Sequence, residues 1–272
     1  MFGWVKRVFR AEYVPLDPFE DGEKEQLPER RACTQSRIFW INLGAPILDE
    51  VEIAIGPRFL DTSLIESDPL SIFRQDPSPE VDTAWKRLGD TRPIPLTREQ
   101  VLAIGKDPAE AIRIPDSWEL GSDVYFGRLD VFHQIHCLDA LRREAYWDYY
   151  YGSQYPRGVN ETGPIHRLHL SHCIYYLLQN ILCNANTAVY THFWTDTIDH
   201  PFPDFEIAHQ CRDFGAVKQW QTEKALNEHD FARLTKPEEY GPPRFMSYRF
   251  KQVHGYYDTH EDPGEYEGGA IA

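Results

Sequence analysis

A motif of two histidines and a cysteine occurs twice in this chain, as HQIHC at His133–Cys137 and as HLSHC at His169–Cys173. Side chains three and four positions apart lie on one face of a helix, so each copy lines up two imidazoles and a thiol. Each copy continues into an apolar, helix-compatible run, over 137–147 and 173–183. Two such helices facing each other pool His133, His136, His169 and His172 into one site, and bundle interiors are where metal sites of this kind are built. Imidazole is the commonest protein ligand for metals, so the doubled spacing predicts a metalloprotein. Four nitrogens with an open position suit copper or non-haem iron, whereas mixtures of histidine and cysteine suit zinc or copper.

The role of sulfur depends on the compartment. Cys137, Cys173, Cys183 and Cys211 share the histidine-rich half, and Cys33 stands apart. An even set in one region is compatible with two disulfides or with thiolate ligands; oxidising surroundings favour the first and a reducing cytosol the second. Asn160-Glu161-Thr162 is a glycosylation sequon, with Asn160 the acceptor in a secreted chain. Single histidines are more often structural, and His166, His192, His200 and His209 are expected to be so. Trp147, Trp194 and Tyr149–Tyr151 are expected to pack, and Asp139 and Glu144 to face solvent.

Other function classes are excluded or unsupported. A net charge of -15 argues against nucleic acid, whose binders cluster Lys and Arg. There is no glycine-rich phosphate loop, since Gly3, Gly22 and Gly44 stand alone, and no serine sits in a GxSxG frame. The best apolar stretch, Ile38–Leu48, is about half of the roughly 20 residues a membrane helix needs. Met1–Val14 interleaves Lys6, Arg7 and Arg10 with apolar residues, so it lacks the apolar core of a signal peptide and is at most a short amphipathic element.

At 272 residues, 42% of them hydrophobic, the chain can bury one substantial core. The expected fold class is mainly α: a single helical domain with two antiparallel motif helices at its centre and long irregular flanks. Residues 1–36 form a disordered lead, 37–77 an irregular linker with a strand at Val51–Ile55, 78–236 the catalytic domain and 237–272 an extension and tail. Helices are expected over Val81–Leu88, from the capping box at Thr97–Gln100 to Ile104, over about Asp130–Tyr149, over about Pro164–Asn184, and within Phe205–Glu223. Residues 124–129 are a brief strand or turn, and 152–163 a loop joining the motif helices.

With both motifs read, the chain resembles the UstYa-like family of fungal secondary-metabolite proteins, whose mark is a pair of HxxHC motifs. LDVFHQIHCLDALRR at Leu129–Arg143 is similar to the family's first block, and HLSHCIYYLLQNILCNANT at His169–Thr187 to its second. Trp194 and HQCRDF at His209–Phe214 follow in the usual order, and SPEVDTAWKRL at Ser78–Leu88 resembles the family's entry segment. The resemblance implies an oxidase of a natural-product (mycotoxin-type) cluster, acting on a small-molecule or ribosomal-peptide substrate by metal-dependent oxidation or oxidative cyclisation. It implies copper as the cofactor, with iron or zinc as alternatives, on His133, His136, His169 and His172, and Cys137 and Cys173 as motif cysteines. A second protein of the same family is among the implied partners. Relatives carry a short lead and then a membrane-spanning helix; Tyr13–Asp21 looks like that lead. Membrane attachment or the secretory pathway is therefore implied, while the short apolar stretch leaves a soluble protein open. Two rival functions remain: a cofactor-free cyclase or pericyclase using the histidines as acid and base, and a non-enzymatic accessory protein with a structural metal or disulfide clamp.

Overall fold

Side-chain caps set the starts of α-helices at Pro79, Arg98, Phe214, Glu228 and Tyr248. The computed structural model describes residues 45–64, 69–237 and 245–255. After α1 (Ile47–Glu50) and strand β1 (Ile55–Phe59), the hydroxyl of Ser78 accepts from the Val81 amide and, with proline at the first helical position, opens α2 (Pro79–Leu88). Strand β2 (Ile94–Thr97) runs into α3 (Arg98–Ala103) through a reciprocal capping box of Thr97 and Gln100. Gly105, at φ +74°, takes the left-handed conformation just beyond that helix. Strand β3 (Val124–Gly127) then leads into the motif helices α4 (Asp130–Ala145) and α6 (Pro164–Asn184). Between them lie α5 (Trp147–Tyr150), set off from α4 by the non-helical Tyr146, and a 3-10 turn at Val159–Glu161. The rest is β4 (Thr191–Phe193), β5 (Phe202–Asp204), β6 (Ala208–Arg212), α7 (Phe214–Lys224), α8 (Glu228–Ala232) and α9 (Tyr248–Val253).

The protein is mainly helical, with three two-stranded antiparallel sheets among the described residues: β1–β6, β2–β3 and β4–β5. Its principal apolar cluster joins Ile47, Ile94, Leu96, Val101, Tyr125 and Trp220, and so lies on α1, β2, α3, β3 and α7 rather than on the motif helices. Trp220 donates its Nε1 proton to Glu50, which also pairs with Lys224 at 2.6 Å, and this fastens α7 to α1.

Helix α4 is attached to α2 by a buried cation. The Arg142 side chain is 9% exposed; it pairs with Asp139 at 2.8 Å and Asp82 at 2.9 Å and donates to the Tyr150 hydroxyl at 2.7 Å. The guanidinium also lies over Trp85, 5.3 Å from the ring centre. Asp139 and Glu144 were expected to face solvent, yet both are largely buried, at 15% and 16% side-chain exposure. Each has a cation or an imidazole as partner, which offsets the desolvation of its charge.

Other expectations are corrected. The strand expected at Val51–Ile55 lies at Ile55–Phe59 and contains Pro57, opposite Gln210; with a single neighbouring strand, one edge needs no amide donor. Residues 208–212 form a strand rather than the start of a helix, because Asp213 caps α7 and fixes its beginning at Phe214. Trp194 is 74% exposed and not packed, following a strand whose three residues all face solvent. Helix α9 lies within the 237–272 extension, ahead of the expected tail. The expectations for 1–36, Cys33, Met1–Val14, Tyr13–Asp21, most of Ile38–Leu48 and 256–272 lie outside the described residues.

Replacing Arg142 by methionine leaves Asp82 without its paired cation and Asp139 with Arg143 alone, and urea unfolding at neutral pH should report a loss of about 3 kcal/mol. Burial opposes ionisation of Asp82, but the Tyr150 hydroxyl and Arg142 outweigh it and hold its carboxyl below the ordinary value. Its stabilisation is therefore present above the ordinary carboxylate pKa and lost as pH falls through the lowered one. Asp82→Asn should flatten the acid limb of the stability profile; an unchanged limb would refute this role.

Candidate metal centre

The two motif helices pack side by side through residues that pair in reverse order. Gln134 donates to Asn180 at 3.1 Å, the rings of His133 and His172 are 5.6 Å apart, those of His136 and His169 5.7 Å, and His166 meets Glu144 at 2.8 Å. From His133 to His136 and Glu144 on α4, the partners on α6 run from His172 to His169 and His166. The first histidine of each motif therefore meets the second histidine of the other.

All four histidines of the doubled motif are brought together. Within α4, His133 and His136 stack with ring centres 6.2 Å apart, as the i, i+3 spacing requires. Each thiol sits beside the histidine one turn before it: Cys137 Sγ is 3.8 Å from His133 Nε2, and Cys173 Sγ is 3.7 Å from His169 Nε2. Both cysteines are fully buried, whereas His136, His169 and His172 are exposed and His133 is half-buried. The sulfurs thus lie in the seam and the imidazoles on its open side. One nitrogen each from His133 and His172 and the Cys137 sulfur lie within 4.8 Å of one another, a donor set that can close on a metal ion.

Crowding favours the neutral form of His133 and His169. Burial and the neighbouring His172 and His136 push the His133 pKa down, with Asp130 opposing. His169, although exposed as a residue, is lowered by partial burial of its ring and then by His136, His172, His166 and His133. A neutral ring is the form that ligates. The Cys137 thiol is pushed up to about 12 by burial and by the adjacent Cys173, so without a metal it stays protonated.

The remaining histidines are placed elsewhere. His166 is held by Glu144 and by the edges of Trp147 and Tyr151, with centres 6.1 and 5.4 Å away. His209, on β6, meets Asn186 at 2.8 Å. His192 lies on β4 against Tyr190, and His200 lies between β4 and β5. Cys183 is exposed and Cys211 partly buried; Asn160 is exposed in its turn. One residue escaped the sequence reading. Tyr176 lies 4.5 Å from His133 and 5.6 Å from His172, ring to ring. Its i+4 spacing from His172 places it on the motif face, a signal hidden because Tyr also reads as packing. A cavity of about 400 Å³ at the α4–α5 corner is lined by Asp76, Tyr146, Trp147 and Asp148 among others. None of the four histidines lines it.

Residues 33–224 match the family model described as mycotoxin biosynthesis protein UstYa. The chain belongs to the UstYa family. Among its relatives, the UstYa family oxidase aprY of Aspergillus flavus is 39% identical over 202 residues, which cover 73% of this chain and 60% of aprY. The UstYa family oxidase phomYc of Diaporthe leptostromiformis is 28% identical over 186 residues, 67% of this chain and 69% of its own. The hydroxylase cctR of Talaromyces islandicus is 32% identical over 117 residues, 41% of this chain and 39% of its own. This UstYa-family chain therefore spans about 60% of the length of aprY. No solved structure matches it. No helix among the described residues is long and apolar enough to cross a membrane.

The lowered values of His133 and His169 fix a sign. Between those values and the ordinary one near 6.5, the unfolded chain binds protons that the folded chain does not, so stability should fall as pH drops through this window. Ring-proton NMR on the metal-free protein should show His133 and His169 titrating below a free imidazole; titration at or above it would contradict the crowding.

Proposed function

We propose that this UstYa-family chain is a metal-dependent oxidase of fungal secondary-metabolite biosynthesis, with His133, His136, His169 and His172 holding copper on an antiparallel helix pair. The observation that carries this reading is the cross-helix pairing of the four imidazoles at 5.6 and 5.7 Å between ring centres. The names of aprY and phomYc, oxidases, and of cctR, a hydroxylase, support oxidation as the reaction class. Copper bound there would supply one-electron chemistry with dioxygen that no side chain offers.

The chain's own residues do the rest. The buried cysteines keep the helices close and leave the imidazoles at an accessible face. Tyr176 fixes the ring of His133 from its edge, and the Glu144–His166 pair joins the helices one turn beyond His169. The open side of the histidines suits a substrate too large for an enclosed cavity, such as a peptide or an extended natural product, and oxidative cyclisation is the reaction such a substrate invites. In this reading the protein enters the secretory pathway or sits at a membrane, and the exposed Asn160 is its glycan acceptor.

The deciding measurement is metal content and turnover of the full chain, purified without a metal-binding tag, beside His136→Ala and His172→Ala. Near-stoichiometric copper is expected, with affinity reduced more than about 100-fold and turnover abolished in both variants. Stability should change by no more than about 0.5 kcal/mol, since both rings are exposed. Turnover that survives chelation and the removal of oxygen would replace this reading with a cofactor-free cyclase. Zinc whose removal unfolds the chain would make His133, Cys137 and His172 a structural clamp.

A further inference from the structure

Two buried reactive groups have no part in that chemistry, the thiols of Cys137 and Cys173. Both are 0% exposed. Cys173 is the buried residue of α6, and Cys137 shares burial in α4 with Phe132 alone. The two thiols are neighbours across the seam, and both are free in this structure. The histidine pairs flank them with an approximate two-fold relation: His133 faces His172 as His136 faces His169. The residue after the second histidine of each motif then falls beside its own counterpart. The other cysteines in the described region are placed differently. Cys183 is exposed near the far end of α6, and Cys211 sits on β6 beside β1.

We propose that Cys137 and Cys173 form a disulfide that ties α4 to α6 directly beneath the histidines. The bond forms as the chain folds, because the closed seam leaves neither sulfur accessible to an oxidant. The oxidant is a disulfide, small-molecule or protein, of an oxidising compartment. One thiolate attacks it, forms a mixed disulfide and releases one thiol; the second thiolate displaces the other. The two cysteines give up two protons and two electrons, and the oxidant leaves as two thiols. Once the bond exists, neither motif sulfur can ligate a metal, so the ligand set is limited to imidazoles. This consequence, unlike the cross-link itself, rests on the metal-site reading.

The test uses the full chain produced through a fungal secretory pathway, denatured in an alkylating agent and digested without reduction. Mass spectrometry should find the Cys137 peptide joined to the Cys173 peptide, two hydrogens lighter than their sum and free of alkylation. Alkylation of both, or a link from either to Cys33, Cys183 or Cys211, would overturn the proposal. Thermal unfolding of Cys137→Ala/Cys173→Ala should occur about 10 °C below the wild type, but the peptide map decides even where that variant fails to fold. Cobalt(II) is the metal probe. Thiolate-to-cobalt charge-transfer absorption in the mapped, cross-linked protein would contradict the predicted ligand set. Failure to bind cobalt at all would count against the metal site and leave the cross-link standing on the map.

Discussion

The burial of one guanidinium organises the part of this fold that carries the motif. Arg142 lies near the end of α4, where it gathers a carboxylate from its own helix, one from α2, the Tyr150 hydroxyl and the face of Trp85. A buried charge is tolerable only when such partners surround it. The arrangement therefore fixes where α4 can lie relative to α2, and the α5 turn that supplies Tyr150 must follow at once. Everything on the far side of α4 inherits that placement.

Helix α6 is the chief dependant. It is apolar along much of its length, yet Ile174, Tyr175, Leu178, Ile181 and Leu182 are exposed, and its contact with α4 is its main attachment. What orients it is a ladder of polar and aromatic pairs: Gln134 with Asn180, the two histidine pairs, then Glu144 with His166. Such pairs specify register more than they add stability, because each is satisfied at a single offset of the two helices. The placement of the imidazoles thus follows from polar matching, while the apolar cluster on β2, α3, β3 and α7 supports the domain from elsewhere.

Much of this was legible in the sequence wherever local chemistry decides. The i, i+3, i+4 spacing put the motif residues on single faces, Pro164 marked the start of α6, and the Thr97–Gln100 box marked that of α3. Failures occurred where the deciding partner is distant in the chain. Asp139 and Glu144 read as surface charges because Arg142 belongs to a network completed by Asp82, and His166 comes from another helix. The strand at Ile55–Phe59 was misplaced because its partner, Ala208–Arg212, lies on the other side of both motif helices. The stretch before α7 looked helical only until its strand partner was known. Tyr176 was passed over since nothing local separates a tyrosine that packs from one that faces a histidine.

The third residue of the motif explains why the first two can meet. Helix axes approach to a distance set by the side chains between them, about 8–10 Å. Cysteine is small and apolar, and it occupies that seam on both helices with no exposure to solvent. A leucine at either position would hold the backbones further apart, and imidazoles reaching around the seam would no longer approach to 5.6 and 5.7 Å. An alanine would allow the approach but leave no atom to join the helices. The HxxHC spacing therefore divides labour along one turn: sulfur lies inside, where it sets the helix separation, and nitrogen lies at the open rim, where the proposed metal would bind.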